Sequence, residues 1–223
     1  MAYRRTENVV RRLAARETSI LKAASTAAAN GGMAAVQIAP VAALAGVAAG
    51  TVYRYFPSKT DLVAELVADV AAREIGAMRE AANKAPGPLS ALAAAIATFA
   101  ARALRERRLA WAVIAEPVDA EIDAVRLDFR KAVAAEIEQR IKRAVAGGQL
   151  PDQDSALASR AIVGALMEAL IGPLADRGAG DVGKMREAAQ MATLFALRAL
   201  GIVDARARGL VAQCVLPLPA PHA

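Results

Sequence analysis

Apolar residues return along most of the chain at intervals of three and four, the spacing that places them on one face of an α-helix. Between about Arg16 and Asn30 that face holds Ile20, Leu21, Ala24 and Ala28, and Asn30-Gly31-Gly32 ends it with residues that tolerate left-handed backbone. A short helix is predicted from about Ile38 to Ala45. Gln37 stands near its N-cap and Pro40 in its first turn, where a missing N–H costs nothing. Gly46 breaks the chain, and a second short helix follows from about Ala48 to Tyr55, stopped by Pro57. Ser58 with Asp61 three residues on reads as a capping box that opens a long helix to about Ala82, with Leu62, Leu66, Val70 and Ala77 on one side.

Downstream, Leu89, Leu92, Ile96, Phe99 and Ala103 predict a helix over about 88–107, and a short segment with Trp111 and Ile114 stops at Glu116-Pro117. Ile122, Val125, Phe129, Val133, Ile137 and Ile141 keep helical spacing over about 119–146, up to Gly147-Gly148. Helices over about 153–175 and 181–200, separated by the glycine-rich loop Gly178 to Gly183, complete the body. The last twenty or so residues leave room for a short helix before a Pro-rich tail. Residues 1–15 form a basic arm that is either disordered or a lengthening of the first helix. The fold class is therefore all-α, with about nine helices and no internal repeat or sustained heptad.

Composition agrees with that reading. Hydrophobic residues make up 56% of the 223, much of it alanine, while aromatics make up only 4%. Such a chain favours helices over strands and is long enough for a small module and a larger one. Charge is more informative than its total. Residues 1–60 carry Arg4, Arg5, Arg11, Arg12, Arg16, Lys22, Arg54 and Lys59 against Glu7 and Glu17 only, so they hold the whole net charge of +6. A basic N-terminal quarter on a neutral body suits a polyanion, nucleic acid before membrane, or else is a solvated basic tail.

Several classes of chemistry fall away. A single cysteine, Cys214, permits no intrachain disulfide and fits a reducing compartment. The only histidine, His222, lies next to the C-terminal residue, which leaves no Ser-His-Asp or Cys-His catalysis and no histidine-based zinc cluster. No phosphate-binding glycine motif appears, so neither enzyme activity nor a cofactor or metal is expected. Residues 23–53 carry no charge, but Asn30, Gly31, Gly32, Gln37, Pro40, Gly46 and Gly50 interrupt them. A spanning helix needs about 20 strongly apolar residues without a break. With no apolar segment after the N-terminal arginines, no signal peptide or membrane partner is expected, and the cytoplasm is the expected location.

Two short helices joined by a glycine turn and flanked by basic residues describe a helix-turn-helix. Val41, Ala42, Ala45 and Val47 are small and apolar, so the helices can cross closely, and Gly46 supplies the turn. Val52 and Phe56 face inward, which leaves Ala48, Ala49, Thr51, Tyr53, Arg54 and Tyr55 outward. The string from Ala45 to Lys59, AGVAAGTVYRYFPSK, resembles the signature of the tetracycline-repressor (TetR/AcrR) family, and with the first helix and Asn30-Gly31-Gly32 the likeness spans about 45 residues. The body resembles the family only in layout.

The resemblance implies groove or base-edge contacts from Ala48, Ala49, Gly50 and Thr51, and contact with backbone or a base from Gln37. It implies phosphate contacts from Tyr53, Tyr55 and Lys59, the last helped by a helix N-terminus. For the tyrosines a packing role in an aromatic cluster is the alternative. The family commonly has Ser at the position of Ala48 and Lys, Arg or Gln at that of Ala49. Both alanines here can read only thymine methyls or shape, which shifts discrimination toward Thr51, Gln37 and the arginine arm in an adjacent minor groove. That arm is otherwise a non-specific electrostatic tail.

These expectations divide the chain into a basic arm and DNA-binding domain over 1–60, a helical effector-binding and dimerisation domain over 61–215, and a flexible tail over 216–223. A homodimer would bring two reading heads to half-sites one turn apart. Its expected surface is Ile162, Leu166 and Leu170 on one helix with Ala188, Ala192, Phe195 and Ala199 on the next, unless those stripes serve the protein's own core. The family further implies a ligand cavity, for which the candidates are Phe99, Arg102, Trp111, Ile114, Arg126, Phe129 and Met167. Arg126 and Arg130 are placed to meet an acidic headgroup there. The expected function is a ligand-responsive repressor of a near-palindromic double-stranded operator, released by an apolar or amphipathic effector of the fatty-acyl kind. A helical protein-interaction adaptor without specific DNA binding is the alternative.

Overall fold

The computed structural model describes residues 2–116, 120–175 and 181–219, and these form ten α-helices and one 3-10 turn with no strand. α1 (Ala2–Gly31) leads through the 3-10 turn Met33–Ala35 to α2 (Ile38–Ala45) and α3 (Ala49–Tyr55). The body comprises α4 (Lys59–Asn83), α5 (Pro88–Arg105), α6 (Arg107–Ile114), α7 (Ala120–Ala146), α8 (Ser155–Leu170), α9 (Val182–Ala199) and α10 (Asp204–Ala212). Among the described residues no helix is long and apolar enough to cross a membrane.

α5 is the axis of the body. Its residues Leu92, Ala93, Ala95, Ile96, Ala97, Phe99, Ala100 and Ala101 are all buried, so it is covered on nearly every side, by α4, α7 and α9. The alanines make this possible, because small side chains let neighbouring helices approach closely while Leu92, Ile96 and Phe99 fill the gaps. The α4–α7 contact also carries charge. Glu136 is buried and accepts from Arg79 Nε at 2.8 Å and from Arg140 Nη2 at 2.6 Å. Burial would raise its pKa, but the two guanidiniums outweigh that and hold the carboxyl below its ordinary value.

The helix boundaries depart from the sequence pattern where tertiary contacts decide. α1 is helical from Ala2, so the basic arm lengthens the first helix, although among the described side chains its buried face begins at Ile20. The helix expected over 88–107 breaks at Glu106, and α6 starts immediately after it. α8 ends at Leu170 because Ile171 leaves helical backbone at φ −128°. α10 is the short helix for which the last twenty or so residues leave room, making ten against the expected nine or so. Leu216, assigned to a flexible tail, is buried, and the Pro217 carbonyl accepts from Arg105 Nη1 at 3.0 Å. Pro117, Gly178 and Gly180 of the predicted breaks, and His222, lie outside the described residues.

Candidate nucleic-acid interface and ligand pocket

The turn between α2 and α3 rests on Gly46, whose φ of +65° is left-handed backbone that only glycine adopts without strain. Its N–H is bonded to the carbonyls of Ala42 and Ala43, which closes α2. Val41, Val52 and Phe56 are buried beneath the pair. Ala48 is the N-cap of α3, and it, Ala49 and Gly50 are exposed while Thr51 is half-buried. The tip is therefore bare backbone and small side chains, a surface that can come close to a groove floor.

Polar groups surround that tip. Tyr53 is 52% exposed. Tyr55 is half-buried with its ring centroid 6.4 Å from that of Phe56, so it both packs and borders solvent. Lys59 is the first residue of α4 and is exposed. A capping box fixes this helix start, with Asp61 N–H donating to Ser58 Oγ and Ser58 N–H donating to Asp61 Oδ2, both at 3.0 Å. Gln37 is the N-cap residue of α2 but makes no capping bond; its amide donates to the Ala34 carbonyl at 3.0 Å. Arg12 and Arg16 of α1 line an open groove of about 530 Å³ with Thr51, Arg54 and Tyr55. Arg4 and Arg5 are helical in backbone, and their side chains lie outside the described residues.

One junction between head and body was not visible in the sequence. The Met33 N–H, in the turn between α1 and α2, donates to Glu116 Oε2 at 3.0 Å, and Glu116 lies just past the end of α6. Arg108 stands 3.8 Å from the same carboxylate. A side chain at Gly32 would strike both Arg108 and Glu116. The left-handed Gly32, at φ +72°, was the one local signal, and nothing near it in sequence names its distant neighbours. Arg126 holds the other side of this turn, donating from Nη1 to the Glu116 carbonyl and from Nη2 to the Ala112 carbonyl.

Five of the seven expected pocket residues come together. Phe99, Arg102, Ile114 and Phe129 line a cavity of about 20 Å³, and Phe99, Ile114, Phe129 and Met167 line a second of about 10 Å³. Arg102 is already engaged in a two-pronged bond to Glu74, at 2.7 Å on each prong, which raises its pKa. Trp111 is half-buried and Arg126 fully buried, and neither lines these two cavities.

The expected dimer stripe divides in two. Ile162, Leu166 and Leu170 are buried within the protomer, whereas Ala188 and Ala192 are half-buried and Phe195 and Ala199 face solvent. An apolar groove of about 550 Å³ runs between α8 and α9, edged by Leu174, Met191 and Phe195, which are 84%, 54% and 60% exposed.

Residues 20–66 match the family model for bacterial regulatory proteins of the tetR family, starting where the buried face of α1 starts. No curated protein sequence matches the chain. Solved structures with the same fold include RolR in complex with resorcinol, 20% identical, with a TM-score of 0.65 over 96% of this chain and 100% of that one. Another is FadR from Bacillus subtilis in complex with stearoyl-CoA, 19% identical, with a TM-score of 0.67 over 83% of this chain and 98% of that one. GusR from Salmonella enterica is 20% identical, with a TM-score of 0.66 over 84% and 96%.

Proposed function

From a chain that carries the N-terminal domain of the tetR family of bacterial regulatory proteins over residues 20–66, we propose a ligand-responsive transcriptional repressor that binds a near-palindromic operator as a homodimer. The observation that carries this reading is the α2–turn–α3 unit itself. Val52 and Phe56 are buried, so α3 is held rigidly, and Ala48, Ala49, Gly50 and Tyr53 are left to a partner. Thr51 and Gln37 supply the polar contacts to bases. Tyr53, Tyr55 and Lys59 supply the phosphate contacts, and Arg12, Arg16 and Arg54 extend the positive surface. The groove between α8 and α9 supports dimerisation, because two copies of it would form a four-helix bundle.

Close packing around Phe99, Ile114 and Phe129 supports release by an effector that opens it. Cavities of about 20 and 10 Å³ hold no more than a water molecule or so. A small apolar or amphipathic molecule entering between Phe99, Ile114 and Phe129 must part α6 from α7. That movement would draw Glu116 away from Met33 and shift the reading head, so effector and operator would favour different arrangements. The resorcinol and stearoyl-CoA in two structures of this fold support an organic effector of this general kind. A protein of this description works in the cytoplasm.

Selection of bound sequences from a random DNA pool tests the proposal directly. Enrichment of a near-palindrome with half-sites about 34–36 Å apart is the expected result. No enrichment, with binding that is flat between 50 and 200 mM salt, would replace the repressor with a protein-binding adaptor.

A further inference from the structure

Among the described residues, buried charges in the body are matched by opposite charges, except at one end of the proposed pocket. Glu136 has Arg79 and Arg140, and Glu74 has Arg102. Arg126, 1% exposed, has no carboxylate within hydrogen-bonding reach among the described residues. Its Nη groups are spent on two carbonyls at the end of α6, and its Nε is buried without a partner. One turn further along α7, Arg130 makes no hydrogen bond or ion pair among the described residues, and its Nε is also buried and unpartnered. Arg130 lines the second cavity together with Phe99, Ile114, Phe129 and Met167.

Two cations one helical turn apart on a partly desolvated face are mutually unfavourable. Burial lowers the pKa of Arg126; Asp123 and Glu116 offset part of this, and Arg130 adds to it. Glu116 is occupied already, by the Met33 N–H and Arg108. Arg126 is fully buried and Arg130 half-buried, each with a buried, unpartnered Nε. Such a guanidinium calls for an anion more strongly than for any neutral group, since the anion satisfies both the hydrogen bond and the charge.

We propose that the effector is an anionic amphiphile, with an aliphatic or aromatic body and a terminal oxyanion. The body takes the place of the Phe99–Ile114–Phe129 contacts and the oxyanion is received by Arg130. This rests on the reading of these cavities as the effector pocket, and it adds the chemistry that selects among effectors. Arg130 is the recognition residue, while Arg126 holds the end of α6 and lends its field.

The test uses the full chain, with dodecanoate, dodecyl phosphate and dodecan-1-ol as probes below their micellar concentrations. Trp111, the only tryptophan and a residue of α6, reports binding by its fluorescence, with thermal melting as a second readout. One or both anionic probes should bind at least about tenfold tighter than the alcohol, and the better of them tells a carboxylate site from a phosphate site. Arg130→Gln should weaken the anions by about tenfold to a hundredfold and leave the alcohol unchanged, and Arg130→Lys should keep part of the preference. Equal binding of alcohol and anions, or equal losses for both in the Gln and Lys variants, would overturn the headgroup assignment and leave the effector pocket standing. Binding of none of the three to the unmodified chain would overturn the pocket reading and this inference together.

Discussion

Tyr53 and Tyr55 sit two positions apart, yet their surroundings give them different work. Tyr53 projects into solvent, whereas Tyr55 leans on Phe56 and borders the groove of Arg12 and Arg16. Tyr53→Phe should therefore remove a single hydroxyl contact to phosphate, about 0.5–1.5 kcal/mol, from every DNA sequence alike. Lys59→Ala should do the same and also lower the slope of log affinity against log salt by about one, measured by titration at several salt concentrations. Thr51→Ala carries a different expectation. Ala48 and Ala49 offer no side-chain donors, and Gln37 spends one of its two amide N–H donors on Ala34, leaving the other and the carboxamide oxygen. On the proposed reading Thr51 offers a hydroxyl to the bases, and its loss should change which sequence is selected. An unchanged selected sequence would remove Thr51 from the reading surface.

At the scale of elements, local chemistry made the boundaries readable and tertiary chemistry hid the couplings. Gly46 and Ser58 with Asp61 each act within a few residues of themselves, and the structure places helix ends at both. The contact of Glu116 with Met33 joins residues 83 apart, and no periodicity announces it. Arg102 likewise reads as a free pocket arginine until Glu74 is brought across from α4. Two elements yield tests of stability. No atom lies within 4 Å of a Cβ built on Gly46, so Gly46→Ala should cost about 1–2 kcal/mol from left-handed strain alone, read as a lower unfolding midpoint. Glu136 gives a pH dependence. Its folded pKa lies below its ordinary 4.5, so its contribution is fully present above that value and is lost as pH falls through the lowered one. Denaturant unfolding followed from about pH 6 down to 3 should show this loss, and Glu136→Gln should flatten it. The same variant should cost about 1.5–3 kcal/mol near neutrality, because it leaves the buried Arg140 guanidinium facing a neutral amide while Arg79 keeps its contact with water.

For the whole molecule, the two faces of α9 explain why its stripe could be read as core or as interface. Ala189, Thr193, Leu194, Ala196 and Leu197 are buried against the protomer, while Met191 and Phe195 stand outside beside Leu174. One helix thus carries a buried face and an exposed apolar face, and only the fold shows which residue lies on which. A large aromatic at 60% exposure, beside two exposed aliphatics and an apolar groove, is an arrangement that water disfavours and a second copy would cover. In the proposed dimer Phe195→Glu would set two carboxylates into the four-helix bundle without partners, so the variant should sediment as a monomer at micromolar concentration where the unmodified chain sediments as a dimer. Because Phe195 already faces solvent, the monomer should keep its helical signal and lose little thermal stability beyond that due to association. Operator binding should then fall steeply, since each monomer reaches one half-site, and the salt slope should drop to about half its dimer value. If Phe195→Glu remains dimeric and binds the full operator, the two heads are joined through some other surface. In that case the face of Leu174, Met191 and Phe195 belongs to a different partner.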